Sequence, residues 1–290
     1  MRDHISIDQL LKQGDSLPTL PEIYFKVSAL LEDKDSSVED IGKIIATDPA
    51  ISYKILTMVN SAYFGLSNEV FSINQAITLL GRFRIKQILI GTLLGDVFKD
   101  FNTEYFSLRE FWQHSIRTAI IAEQLAVVSD YCEEPETIFT AGLLHDVGRL
   151  ILAAQMPEVL PIIDQNAIDH RITIVRSEIE IVGLAHTEIG AALMQKWGFP
   201  ELIWVSVSNH HRTDYSGPFF QVTQLVCLAN QLAHQPLPED EEAMQQILDR
   251  IPNWQEANAS VEYLFNTCQR AENLVLEVAS SLGLNNGKKQ

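Results

Sequence analysis

The stretch IFTAGLLHDVGRL, residues 138–150, places a histidine and an aspartate in the middle of an apolar segment. Apolar residues recur on both sides of this pair at helical spacing, which predicts one buried helix over residues 138–154. A charged carboxylate inside such a helix is costly unless it is paired or coordinated. From these two residues alone, His145 and Asp146 are either ligands of a divalent metal ion or a core pair that hydrogen bonds satisfy.

The rest of the chain predicts an all-α fold. Apolar residues keep helical spacing along most of its length, and nothing in the first third alternates with the period of two that a strand shows. Local signals mark where some helices begin and end. Asp48 and Pro49 predict a helix start, and Gly81 predicts the end of a helix that begins near Ser72.

The domain organisation follows from length and from the placement of the histidines. With 290 residues, of which 46% are hydrophobic, the chain can form one large or two small cores. The boundary between two helical parts falls near Asn102–Thr103, and the apolar stripe over 259–282 predicts either a subdomain cap or a dimer seam. We predict three segments: an N-terminal helical subdomain at 1–104, a helical subdomain with most histidines at 105–235, and a C-terminal helical extension at 236–290.

The net charge and the cysteine content of the chain indicate which binding partners and which cellular compartment to expect. The formal net charge of −17 repels phosphate backbones and argues against direct binding of nucleic acid. The three cysteines, Cys132, Cys227 and Cys268, are widely spaced, as is typical of reduced thiols in a cytoplasmic protein. The apolar windows Ile88–Leu94 and Leu150–Ala154 are shorter than the roughly 18 residues of a membrane span. We therefore expect a cytoplasmic protein without a membrane segment.

Five of the eight histidines fall on apolar helices or at helix ends in the second part of the chain. Neutral imidazole is the commonest metal ligand among side chains, and several rings that converge from different helices make a site. Glu110 lies one helical turn before His114, which makes it a candidate oxygen ligand or an acceptor behind that ring. The candidate metal ligands are His114, His145, Asp146, His186, His210 and His211.

The order and separation of these residues resemble the HD superfamily of metal-dependent phosphohydrolases. Further motifs narrow the resemblance to the HDOD (HD-related output domain) proteins of bacterial signalling. Those motifs are LPTLPE at 17–22, ATDPAISYKILTMVNSAYFG at 46–65, SINQAITLLG at 72–81, AGLLHDVGRLIL at 141–152 and HTEIGAALMQKWGFP at 186–200. The resemblance covers roughly residues 15–235 and implies two helical subdomains, of which the C-terminal one is an HD-type bundle.

The resemblance also implies a metal centre, with one departure from the pattern. The six candidate ligands match ligand positions of two-metal HD hydrolases. Where such hydrolases carry a final aspartate, this chain has Asn230, whose neutral oxygen is a weaker ligand. The segment after His211 lacks the Gly-Tyr-Pro signature of relatives that cleave cyclic di-GMP. The implied cofactor is a divalent transition metal, Fe, Mn, Zn or Ni, with one or two ions per chain, or none if the site is vestigial.

Two functions follow from this resemblance. The first is a signalling module that binds a signalling protein or a small phosphorylated ligand. The alternative is a phosphohydrolase, acting on phosphomonoesters or phosphodiesters through a metal-activated water. In the alternative, Asp146 bridges the metal ions and Arg149 faces the phosphate. Arg149 is otherwise a cationic residue that follows a buried segment.

Overall fold

In the computed structural model, the described residues are 7–10, 20–98, 103–129 and 135–284. Within these ranges every regular element is a helix, apart from one isolated bridge between Thr103 and Phe106. The prediction of an all-α fold is confirmed. Sequence features at residues 17–19 and at Cys132 lie outside the described residues.

Five helices lie in the described chain up to Phe98. They are α1 (Ile7–Leu10), α2 (Glu22–Glu32), α3 (Val38–Ile45), α4 (Pro49–Val59) and α5 (Ile73–Phe98). Asp48 caps α4 as predicted, because its carboxylate accepts hydrogen bonds from two backbone N–H groups of the first turn. Gly81, with φ of 82°, interrupts α5 where the sequence predicts a helix end.

Ten helices follow in the described residues after Thr103. They are α6 (Leu108–Val128), α7 (Pro135–Leu144), α8 (Val147–Gln155), α9 (Leu160–His170), α10 (Ile174–Ile181), α11 (His186–Lys196), α12 (Glu201–Asn209), α13 (Phe220–Ala233), α14 (Glu241–Leu248) and α15 (Val261–Ser281). Short 3₁₀ turns at Pro157–Val159 and Trp254–Ala257 connect some of them.

Contacts between Cα atoms divide the chain into two compact units. The histidine unit consists of Met1–Leu17 and Phe101–Gln269. The companion unit consists of Pro18–Asp100 and Arg270–Gln290. The three predicted segments stay a prediction. The units differ from them in grouping the last residues of the chain with the N-terminal helices.

The prediction of a single helix over 138–154 is wrong. Helix α7 ends at Leu144 and α8 begins at Val147, so His145 and Asp146 form the junction between two helices. The Asp146 carboxylate makes no capping hydrogen bond to the described first turn of α8. Periodicity cannot detect this break, because apolar residues continue at helical spacing across it. The junction leaves both side chains buried, with exposures of 0% for His145 and 5% for Asp146.

Glycines bring helices of the histidine unit into backbone contact. A Cβ atom on Gly142 of α7 would lie 2.8 Å from Cα of Ala119 on α6. A Cβ atom on Gly148 of α8 would lie 1.9 Å from the backbone oxygen of His186 and 2.8 Å from the backbone nitrogen of Gly190, both on α11. A side chain at residue 148 would therefore push α8 and α11 apart.

In the companion unit, Arg82 holds the end of α2. Its Nη1 donates to the backbone oxygens of Leu30 (3.2 Å) and Asp33 (2.6 Å) and to Oγ of Ser36 (2.8 Å). Its Nη2 donates to the backbone oxygen of Ser36. The guanidinium thus supplies both donors and positive charge to carbonyl groups at a helix C-terminus, where both are favourable.

One stretch of the described residues, Thr137–Gln155, is long and apolar enough to cross a membrane by length and composition. The shorter apolar window Leu150–Ala154 lies within that stretch. The whole stretch comprises most of α7, the His145–Asp146 junction and α8, and 83% of its window is buried inside the structure. A buried core segment meets the same criterion, so this finding is weak support for a membrane span.

Candidate metal centre

The histidine unit brings all six predicted metal ligands together. Their donor atoms form two groups, each with its atoms within 4.8 Å of one another. The His186 group contains Asp146, His186, His210 and His211. The His114 group contains His114, His145 and Asp146. Asp146 belongs to both groups and therefore lies at the middle of the cluster.

Two of the rings are oriented by the helices that carry them. His145 donates its Nδ1 hydrogen to the backbone oxygen of Gly142 at 2.7 Å. His210, directly after α12, donates its Nδ1 hydrogen to the backbone oxygen of Val207 at 2.7 Å. A neutral imidazole carries one N–H, so this assignment leaves a lone pair on Nε2 of both rings. Metal-binding histidines in proteins are commonly held in this way.

A buried carboxylate orients the third ring. Glu178 of α10 is 1% exposed, and its Oε2 lies 2.6 Å from Nδ1 of His186. The same oxygen accepts the backbone N–H of His186 at 2.9 Å. Glu178 thus fixes both the ring and the first turn of α11, and directs Nε2 of His186 toward Asp146.

Nitrogen atoms from three rings converge on the Asp146 carboxylate. Oδ1 of Asp146 lies 3.1 Å from Nε2 of His186 and 3.3 Å from Nε2 of His210, and Oδ2 lies 3.5 Å from Nε2 of His145. Oδ1 is nevertheless buried, and it accepts no hydrogen bond from the described residues. Lone pairs that face a buried carboxylate repel it, so the arrangement requires a positive charge between them.

The pKa values of these groups also indicate that the buried Asp146 carboxylate needs a positive charge beside it. Burial favours the neutral ring of His186, yet the charges of Glu178 and Asp146 outweigh it and raise the pKa of His186 to about 9. Burial lowers the pKa of His210 to about 4. Burial also opposes the charge on Asp146, but the surrounding histidines hold its pKa well below the ordinary value. A proton on His186 or a metal ion can therefore balance the carboxylate, and the ion would displace that proton.

The donor set fits a divalent metal ion. Imidazole nitrogens with one carboxylate suit Zn, Fe, Mn or Ni. Each of the three oriented rings has a hydrogen-bond acceptor behind it, and the orphaned oxygen of Asp146 is where an ion would meet a charge. The buried cluster could therefore hold a metal ion.

Asn230 also lies in this cluster, as the sequence predicted for a weaker ligand. It is 2% exposed on α13, and its Oδ1 is 3.0 Å from Nε2 of His114. The same nitrogen of His114 lies 3.2 Å from Nε2 of His145. Burial, followed by the charges of neighbouring histidines, lowers the pKa of His114 to about 2, so the ring is neutral at ordinary pH.

Two other predicted residues are not among the clustered donors. Glu110 lies away from the candidate ligands, and Arg149 lies at the edge of the cluster. Glu110 is exposed in the first turn of α6 and belongs to neither donor group among the described residues. Its backbone N–H bonds to the Ser107 hydroxyl that caps the helix. Arg149 is partly exposed on α8, and its Nη2 is 3.9 Å from Oδ1 of Asp164. Its role toward a phosphate stays a prediction.

Sequence analysis missed two residues of the site. The spacing of candidate ligands could not reveal Glu178, because Glu178 contacts the candidate ligand His186 and is not itself a candidate ligand. His234 follows α13, and its ring centre lies 4.2 Å from that of His114. Its Nδ1 donates to the backbone oxygen of Asn230 at 2.9 Å. The spacing of His234 could have indicated its place in the site, because it comes one helical turn after Asn230.

The described residues thus form an all-helical fold with a buried cluster of histidines around one aspartate. The HDOD domain matches residues 17–213, which is more than half of the chain. The chain belongs to the HDOD domain family.

The chain is also similar to known proteins in sequence or in fold. An uncharacterized protein of Treponema pallidum (strain Nichols) is 27% identical over 207 residues, which are 70% of this chain and 39% of that protein. The matched region is thus about two-fifths of that relative's length. The crystal structure of a candidate phosphohydrolase from Shewanella amazonensis SB2B matches with a TM-score of 0.75 and 25% identity, covering 94% of this chain and 97% of that one. A candidate signal transduction protein from Marinobacter aquaeolei VT8 matches in fold, with a TM-score of 0.71 and 22% identity, covering 97% and 61%.

Proposed function

We propose that this protein is a metal-binding HDOD signalling module, which acts by binding a signalling protein or a small phosphorylated ligand. The observation that carries the choice of a module over a hydrolase is Asn230. It is a buried neutral amide where the HD hydrolase pattern has a carboxylate, and it is hydrogen-bonded to His114. Replacing a carboxylate by an amide weakens the hold on a divalent ion.

The ligands of this proposed centre are four of the six predicted ones, and a buried carboxylate supports one of them. Asp146, His186, His210 and His211 would hold the ion, with Glu178 orienting His186. When bound, a divalent ion supplies positive charge that neutralises Asp146 and ties the α7–α8 junction to α11 and to the end of α12. Binding of the ion therefore stabilises the histidine unit.

A metal-dependent phosphohydrolase is the second candidate function. It is favoured by the similarity to the Shewanella amazonensis protein, which is itself described as a candidate phosphohydrolase. For that function, an ion held by these residues would supply the Lewis acidity that hydrolysis of a phosphoester needs. Arg149 would hold the phosphate, because a guanidinium binds phosphate oxygens with two parallel hydrogen bonds.

Elemental analysis of the untagged protein, combined with a hydrolysis assay, tests the proposal. We expect a transition metal to co-purify and the purified protein to leave phosphomonoesters, phosphodiesters and nucleotides uncleaved. Added metal should raise the melting temperature of the metal-stripped protein. Metal-dependent hydrolysis that disappears in Asp146→Ala would favour the second candidate. A protein that takes up no Fe, Mn, Zn or Ni would contradict both.

A further inference from the structure

We infer that the centre holds a single metal ion, at the His186 group, and that Asn230 closes the His114 group to a second ion. This inference rests on the proposed metal-binding function and specifies its stoichiometry. It departs from the two-metal arrangement that the HD resemblance implies.

Nε2 of His114 lies between two hydrogen-bond acceptors. That atom faces Oδ1 of Asn230 at 3.0 Å and Nε2 of His145 at 3.2 Å. Nε2 of His145 is an acceptor, because its Nδ1 hydrogen is donated to Gly142. With an acceptor on each side, Nε2 of His114 carries the hydrogen in this arrangement, so a metal ion could bind there only by displacing that hydrogen.

The conclusion does not depend on how the Asn230 amide is turned. If its nitrogen faces His114, the amide donates a hydrogen bond to Nε2 of His114 and occupies that lone pair. In both orientations the neutral amide engages the atom that a metal ion would need. An aspartate at residue 230 would instead offer a charged ligand of nearly the same shape.

The His186 group differs because the charged carboxylate of Asp146, and not a neutral amide, faces two of its ring nitrogens. Nε2 of His186 and Nε2 of His210 both face the orphaned Oδ1 of Asp146, and their Nδ1 atoms are committed to acceptors behind them. Nε2 of His211 lies 3.2 Å from Nε2 of His186. Three imidazoles and one carboxylate make the four-ligand set that a single divalent ion commonly takes.

Charge balance favours the same stoichiometry. Among the described residues, the His114 group has one carboxylate, Asp146, and shares it with the His186 group. A second divalent ion would add two positive charges next to the first while Asn230 contributes none. Paired ions in two-metal sites lie only about 3.5–4 Å apart, so their repulsion needs further carboxylate ligands.

Titration of the metal-stripped full-length protein with Mn²⁺ tests the inference. Bound ions are counted by native mass spectrometry, and electron paramagnetic resonance distinguishes an isolated Mn²⁺ from an exchange-coupled pair. We expect one ion in the wild type, with the spectrum of an isolated ion. In Asn230→Asp we expect two ions and a coupled spectrum. His114→Ala should still bind one ion, because His114 lies outside the occupied group.

Gln231→Glu is the matched control, because it adds the same charge one residue away on α13. We expect it to bind one ion. Two ions on the wild type, one ion on a folded Asn230→Asp, or loss of the ion in His114→Ala would each overturn the inference and leave the proposed function intact. If the wild type binds no Mn²⁺, Fe²⁺ or Zn²⁺, the proposed metal-binding function itself is overturned.

Discussion

Arg82 in the companion unit and Asp146 in the histidine unit each stand at the centre of a polar cluster, but the two clusters differ in charge balance. Around Arg82, backbone and hydroxyl oxygens receive hydrogen bonds from a cation that the chain itself supplies. Around Asp146, ring nitrogens and a carboxylate face one another, and Oδ1 is left unsatisfied by the described residues. The first cluster is complete as folded, whereas the second could be completed by a metal ion. This difference separates a structural cluster from a candidate binding site.

The largest expected effect is loss of the metal from the Asp146 cluster. The double variant His145→Ala, Asp146→Ala removes the shared carboxylate and one ring, so it should lose all bound metal and keep most of its helical circular dichroism. Elemental analysis measures the bound metal, and far-ultraviolet circular dichroism measures the helix content. Asp169→Ala, an exposed aspartate on α9, should retain the metal. If the double variant holds as much metal as the wild type, the assignment of the centre is wrong.

The next largest effect should be a loss of folding stability when the Arg82 cluster is disrupted. Arg82→Ala leaves carbonyl groups at the end of α2 without their donor, so we expect the free energy of unfolding to fall by about 2–3 kcal/mol. Urea denaturation measures this, and Arg82→Lys should recover only part of it, because an ammonium lacks the guanidinium fork. Metal content should not change. A loss of metal in Arg82→Ala would remove the distinction between the two clusters.

A smaller effect should follow from changing the support behind a ligand. Glu178→Gln keeps an acceptor for Nδ1 of His186 but removes its charge, so the ring becomes a weaker ligand. We expect metal affinity to fall by about 10–100-fold. Competition against a chelator measures the change. Glu188→Gln, the same substitution in the first turn of α11, is the control and should leave affinity unaltered. Equal effects of the two substitutions would argue against a specific role for Glu178.

The smallest effect should come from an ion pair that is already balanced and partly in solvent. Nζ of Lys54 lies 2.6 Å from Oδ1 of Asp96, with side-chain exposures of 21% and 46%. Lys54→Ala should lower the free energy of unfolding by less than about 1 kcal/mol, because water screens such pairs. Thermal denaturation at low and high salt should show most of that difference only at low salt. A larger loss would mean that Lys54 also matters through the packing of its aliphatic stem.

Sequence patterns predicted the parts of this molecule that depend on local chemistry. The all-α class, the cap at Asp48 and the break at Gly81 each follow from residues adjacent in the chain, and the structure confirms them. The convergence of the histidines was predicted from their placement on apolar helices and from family resemblance. The structure brings those side chains together.

The parts that could not be predicted depend on contacts between distant segments. The break between α7 and α8 has no local signal, because the apolar pattern continues through His145 and Asp146. Glu178 becomes part of the site only because α10 packs beside the start of α11. Glu110 shows the converse, since its spacing from His114 is right for a helix but its side chain is exposed.

The close crossing at Gly148 also bears on when the centre forms during folding. Gly148 is two residues beyond Asp146 and lies against the backbone of His186, so these two ligands meet only when α8 and α11 dock. Because that contact joins segments distant in the chain, it belongs to the slower steps of folding. The donor set of the candidate metal centre is therefore complete only once α8 and α11 have docked.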